Sequence, residues 1–132
     1  MSRWIVVFVS LCAGWATACG GGDSSGLAAD KQLVDLSDGE LTQLCEYTVK
    51  VAGPERTVNC GGGFSISVGG KVVADCVTDL NDGLDQFPGC DATVADAETC
   101  AEDFAAFTDA QLCSDVTPLP RSCEPLLSCG GI

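Results

Sequence analysis

Ten cysteines and nineteen carboxylates carry most of the chemistry available to this 132-residue chain, which has no histidine at all. Without an imidazole, neither a Ser-His-Asp nor a Cys-His nucleophilic site can be assembled. The commonest zinc ligand is missing for the same reason. No C-x-x-C pair occurs, so a dithiol redox site of the thioredoxin kind is not expected. No metal and no cofactor is expected either. Cys19 stands apart from the other cysteines. It follows Ala16-Thr17-Ala18 and precedes Gly20-Gly21-Gly22. Small residues before a cysteine and a polar, flexible run after it are what cleavage and lipid attachment at that cysteine require.

The residues upstream support that expectation. Arg3 is followed by an apolar run from Trp4 to Ala18, fifteen residues in all. The order of charge, apolar stretch and small residues is that of a secretory signal. A helix crossing the ~30 Å hydrocarbon core needs about 20 apolar residues, so removal of residues 1–18 is expected rather than retention as an anchor. Two cleavage sites compete. An ordinary signal peptidase could cut after Ala18, leaving nine cysteines and one unpaired thiol. Lipid modification of Cys19 instead leaves eight: Cys45, Cys60, Cys76, Cys90, Cys100, Cys113, Cys123 and Cys129. An even set can pair completely, which favours the lipidated form. Ala16-Thr17-Ala18-Cys19 resembles a bacterial lipobox, with Ala16 where Leu is usual. The resemblance implies a diacylglyceryl group and an N-acyl chain such as palmitate on Cys19. Gly20 in the following position leans toward the outer membrane of the cell envelope.

Eight cysteines in a secreted domain of about a hundred residues read as a disulfide framework. Three pairs fall at similar spacings: Cys45 with Cys60, Cys76 with Cys90, and Cys100 with Cys113, leaving Cys123 with Cys129. The simplest expectation is a helix-to-loop bridge within each unit, although eight cysteines allow 105 pairings.

All nineteen acids lie after Cys19, together with only five bases (Lys31, Lys50, Arg56, Lys71 and Arg121), a net charge of −14. Nucleic-acid binding needs Lys and Arg to displace counterions, so that class is excluded. The acidity suits a solvated surface, or the attraction of cations and basic partners. Asp79 to Asp85, "DLNDGLD", has the composition of a calcium loop. Counted from Asp79, Gly83 falls at position 5 and Cys90 at position 12, where an EF-hand requires Gly at 6 and Glu at 12. The segment is therefore read as an Asp/Asn/Gly turn.

Positioning these groups falls to a few short elements. Residues 19–34 are read as the lipidated cysteine and a Gly/Ser/Ala tether, and 35–132 as one disulfide-rich domain. Ser37 and Glu40 form a capping box before Leu41, Leu44, Cys45, Thr48 and Val51 at helical spacing, and Gly53-Pro54 ends the helix. "FSISV", 64–68, alternates as a short strand. Residues 71–80 suit either a second strand of a hairpin or a helix carrying Val73, Cys76, Val77 and Leu80; the helix is favoured. "NDGLDQFPG" reads as a loop. Thr93 caps a helix with Ala97, Cys100, Ala101, Phe104 and Phe107 on its apolar stripe, and "SCEPLLSC" a short last helix. The expected fold is mainly α, with three to four short helices and at most a short strand or hairpin near 64–68.

The stretches "ATACGGG", "LSDGELTQLCEY", "CDATVADAETC" and "LPRSCEPLLSCG" together resemble the small cysteine-rich lipoproteins of myxobacteria and related bacteria. That resemblance implies a location and a style of fold and brings no activity with it. The expected role is a lipid-anchored envelope protein and not an enzyme. It is either a tethered binding module for a protein or peptide, or a passive coat lipoprotein. Its one defined partner is the membrane, through the lipid on Cys19.

Overall fold

The computed structural model describes residues 24–114 and 119–130. Residues 1–18, read above as a signal, and Cys19 lie outside them. Among the described residues there are five α-helices, a two-stranded hairpin and two 3₁₀ turns. The small, mainly helical, disulfide-rich class is as expected, with one helix more than the upper expectation.

Helix α1, Asp38–Ala52, begins where the capping box places it. Glu40 N–H donates to Ser37 Oγ, and the Glu40 carboxylate accepts from the Ser37 N–H at 2.9 Å. Lys31 Nζ donates to the same carboxylate at 2.7 Å. That bond first, and then those from Ser37, lower the Glu40 pKa to about 2. A depressed carboxylate stabilises the fold above its ordinary pKa, and the contribution is lost as pH falls toward 2. Gly53, at φ 72°, ends the helix.

The stretch up to residue 34, read as tether, is part of the folded domain from Ser25 onward. Ser25 N–H donates to Glu98 Oε1 at 2.7 Å, and Gln43 Nε2 donates to the Ser25 carbonyl at 2.5 Å. Backbone bonds tie Leu33 to Ala92, Val94 to Lys31 and Ala95 to Ala29. Leu33, in the 3₁₀ turn Leu33–Asp35, is buried in the core. Glycine-rich composition invites a tether reading, but Leu27 and Leu33 have apolar surface to bury, and burial wins.

The hairpin pairs β1, Arg56–Gly61, with β2, Phe64–Val68, antiparallel. Gly62 and Gly63 make the turn, both at positive φ, as two-residue hairpin loops require. The strand at 64–68 is as expected, but its partner precedes it rather than following at 71–80. A two-stranded hairpin is marginal alone. This one is fastened by the Cys60–Cys113 bridge and by Arg56, whose Nη1 donates to Asp109 at 2.6 Å.

Of residues 71–80, those from Val73 on are helical as favoured, and the helix runs further: α2 spans Val73–Gln86. The expected "NDGLDQFPG" loop is thus helix through Gln86, because Leu80 and Leu84 extend the apolar stripe of Cys76. Helix α3, Val94–Ala105, starts at a complete Thr93–Asp96 capping box. It stops before Phe107, which lies edge-on to Phe104 with ring centroids 5.5 Å apart. The unexpected helix is α4, Asp109–Leu112, capped by Thr108 and Gln111. A 3₁₀ turn, Arg121–Cys123, leads into α5, Glu124–Leu127.

The bridges are Cys45–Cys76, Cys60–Cys113, Cys90–Cys129 and Cys100–Cys123. None is a sequential helix-to-loop pair. Each joins elements distant in the chain: α1 to α2, hairpin to the end of α4, and the C-terminal segment to α3 and to the loop before it. Cys90, Cys100, Cys123 and Cys129 are buried and meet within the core, whereas Cys60 and Cys113 pair at half-buried positions outside it. Leu33, Leu44, Val94, Cys100 and Cys123 form the centre of that core.

Candidate functional site: a groove over helix α1

Helix α1 packs against both α2 and α3, whereas α2 and α3 barely touch each other. The space between them is a partly open groove with a volume of about 740 Å³. Ligand cavities fall at roughly 300–1,000 Å³ and are mostly apolar, so the groove has the size and the lining of one.

Its floor is the face of α1 between those two helices, with buried Leu44, half-buried Thr48 and Val49, and exposed Ala52. One wall is α2, through Cys76, Leu80, Gly83 and Leu84. The other is α3, through Ala97, Ala101, Phe104 and Ala105. These α3 positions recur at helical spacing, and the alanines leave the groove wide. Leu80, Leu84, Ala101 and Phe104 are half-buried. They are covered enough to be ordered by their helices and open enough to contact a ligand.

Charge is confined to the rim. Arg56 and Lys71 stand at the hairpin end, Arg56 paired with Asp109 and Lys71 Nζ with Asp79 Oδ2 at 2.5 Å. Asp79 and Asp82 edge the α2 wall, and exposed Asp75 continues the same helical stripe one turn earlier. The floor has one polar side chain, Thr48, whose hydroxyl lies near the carbonyl of Cys45.

Of the residues singled out in the sequence, the eight cysteines are brought together in four pairs, and Cys76, Cys100 and Cys129 line the groove. Cys19 lies outside the described residues. The acids of 79–85 are spread along a helix rather than wrapped around a point. Among the described residues, no three His, Cys, Asp or Glu side chains are grouped to hold a metal. Calcium titration followed by calorimetry should give no site tighter than ~10⁻⁴ M. A micromolar site abolished by Asp82→Ala would contradict this.

The groove itself was not visible in the sequence. The stripes on α1 and α3 were, and each reads as ordinary core. What opens the groove is that α2 packs mainly on α1 and barely touches α3, a tertiary relation with no local signature. Its one available clue is Leu84, four residues after Leu80, which extends the apolar face of α2 past the Asn81-Asp82-Gly83 run.

Among the described residues no helix is long and apolar enough to cross a membrane. Comparison with protein-family models, with curated proteins and with solved structures finds no match for this chain.

Proposed function

We propose that the protein is a lipid-anchored binding module of the cell envelope, held by Cys19 and taking an apolar or amphipathic ligand in the groove over α1. The observation that carries the binding role is the groove: about 740 Å³, apolar inside and charged only at its rim. A passive coat protein has no use for an open apolar cavity, since exposed apolar surface of this kind marks binding sites or invites aggregation.

Anchoring is supported by the Ala-Thr-Ala-Cys run and by the even cysteine set that remains when Cys19 is set aside. Gly20 to Asp23 separate Cys19 from the first described residue. At about 3.5 Å per residue this leash is short, and the domain would sit close to the bilayer. Cys19→Ala should move the protein out of the membrane fraction or stall it unprocessed. Mass spectrometry of the native protein showing an unmodified Cys19 would contradict the anchor.

Binding is tested on the oxidised mature chain carrying Cys19→Ala in detergent-free buffer. A neutral, environment-sensitive apolar dye should bind saturably. Ala101→Trp, which places an indole in the groove, should weaken dye binding at least about ten-fold, equivalent to about 1.4 kcal/mol, with unchanged helical circular dichroism. Equal binding by both proteins, or none by either, would overturn the groove as the site.

A further inference from the structure

We infer that the occupant of the groove is a cationic amphipathic helix of another polypeptide. The inference rests on the groove reading above and specifies its ligand.

Shape makes the first argument. The groove has a helix as floor and a helix along each side, so a further helix laid in it completes a four-helix arrangement. Helices pack with axes about 8–10 Å apart. Ala97, Ala101 and Ala105 on one wall leave room for large side chains from the ligand. An amphipathic helix presents such anchors at i, i+3, i+4 and i+7.

Charge selects the sign of its polar face. Asp75 and Asp82 flank Asp79 along the α2 rim, and of the three Asp79 is the one held in an ion pair, with Lys71. The two rim cations, Arg56 and Lys71, are already paired with Asp109 and Asp79. Around this rim the whole mature chain carries −14, a field that draws cationic partners and repels anionic ones. A second copy of the chain brings the same −14 and is disfavoured. Fatty carboxylates and anionic lipids would set their headgroups against the α2 carboxylates.

The chain's own leader to the domain does not fill the groove either. Gly20-Gly21-Gly22-Asp23 offers no large apolar side chain. The segment after it is fixed to the other side of α1: Gln43 holds Ser25. At about 100° per residue, Thr48 and Ala52 lie roughly 140–180° around the helix from Gln43. Cationic amphipathic helices also bind anionic bilayers. A protein anchored at the membrane with an acidic, apolar groove would compete with the bilayer for them.

The test uses the oxidised mature chain with Cys19→Ala and three synthetic helices of about 18 residues, ~27 Å long. They share one Leu/Phe face and carry Lys, Glu or Gln on the other. Fluorescence anisotropy should show the Lys peptide binding at least about ten-fold more tightly than the Glu peptide. Raising salt from ~20 to ~200 mM should weaken the Lys peptide about ten-fold, as expected for screened charges. The double variant Asp75→Lys/Asp82→Lys should lose most of that preference and keep its affinity for the neutral dye, while Ala101→Trp should lose both ligands. Dye binding with no peptide binding, or equal and salt-insensitive binding of Lys and Glu peptides, would overturn the inference and leave the groove reading standing. No binding of dye or peptide would overturn both.

Discussion

Replacing Cys100 and Cys123 together by alanine lowers the unfolding free energy by about 3–4 kcal/mol, and reducing all four bridges abolishes cooperative unfolding. The expectation follows from loop closure. The bridges join residues 31, 53, 39 and 23 positions apart, and constraining a loop of that length in the unfolded chain contributes about 3–4 kcal/mol per bridge. A domain of this size has a total stability of only ~5–15 kcal/mol. The Cys100–Cys123 pair carries a further cost, because both cysteines are buried, Cys123 completely. Removing their sulfurs leaves space between α3 and the C-terminal turn that the surroundings only partly refill. Urea unfolding followed by circular dichroism measures the effect. A loss under ~1 kcal/mol for the double variant would show that this bridge contributes little.

Gly69→Ala should destabilise the domain by about 3 kcal/mol or more, while Gly89→Ala should be nearly neutral. Gly69 adopts φ 77°, and a Cβ there would stand 2.5 Å from the Pro54 carbonyl oxygen and 2.8 Å from that of Gly53. The left-handed conformation alone costs an L-residue roughly 1–2 kcal/mol. The overlap adds to it, because both oxygens belong to the backbone at the end of α1 and cannot swing aside as a side chain would. Gly70 next to it is equally tight against Glu55 and donates its N–H to the Gly53 carbonyl at 3.0 Å. This crossing orients the hairpin over the end of α1 and starts the path into α2. It therefore sets one end of the groove. Gly89 has nothing within 4 Å of its added Cβ and no positive φ. Thermal or urea unfolding of the two variants side by side would contradict this if they lost similar stability.

The elements that the sequence reveals are those written locally. Ser37 with Glu40 and Thr93 with Asp96 mark the starts of α1 and α3, because a cap acts within a single turn. Thr108 with Gln111 is the same signature and marks α4, though the helix is too short for its apolar spacing to register. The alternation of Phe64, Ile66 and Val68 marks β2. Its partner β1 shows no such pattern, since only Val58 of that strand is buried. Asn81-Asp82-Gly83 has the composition of a turn, yet it lies within α2, where Gly83 is buried and Cys76 is bridged to α1. Tertiary burial there outweighs local preference. The disulfide pairs and the groove are beyond local signals for one shared reason. Both depend on which elements meet in three dimensions: each cysteine pairs with one from a distant element, and α2, packed on α1 but barely touching α3, becomes a wall of the groove.

The most direct test of the groove as the binding site is a residue-resolved map of ligand contact. The oxidised mature chain carrying Cys19→Ala, labelled with ¹⁵N, is titrated with the neutral dye and followed by amide chemical shifts. The expected shifts gather on Thr48, Val49 and Ala52 of α1, Leu80, Gly83 and Leu84 of α2, and Ala97, Ala101 and Phe104 of α3, leaving Ser25 to Lys31 on the other side of α1 unmoved. Shifts gathered instead on the exposed apolar residues Phe64 and Val72, or no saturable shifts anywhere, would contradict it.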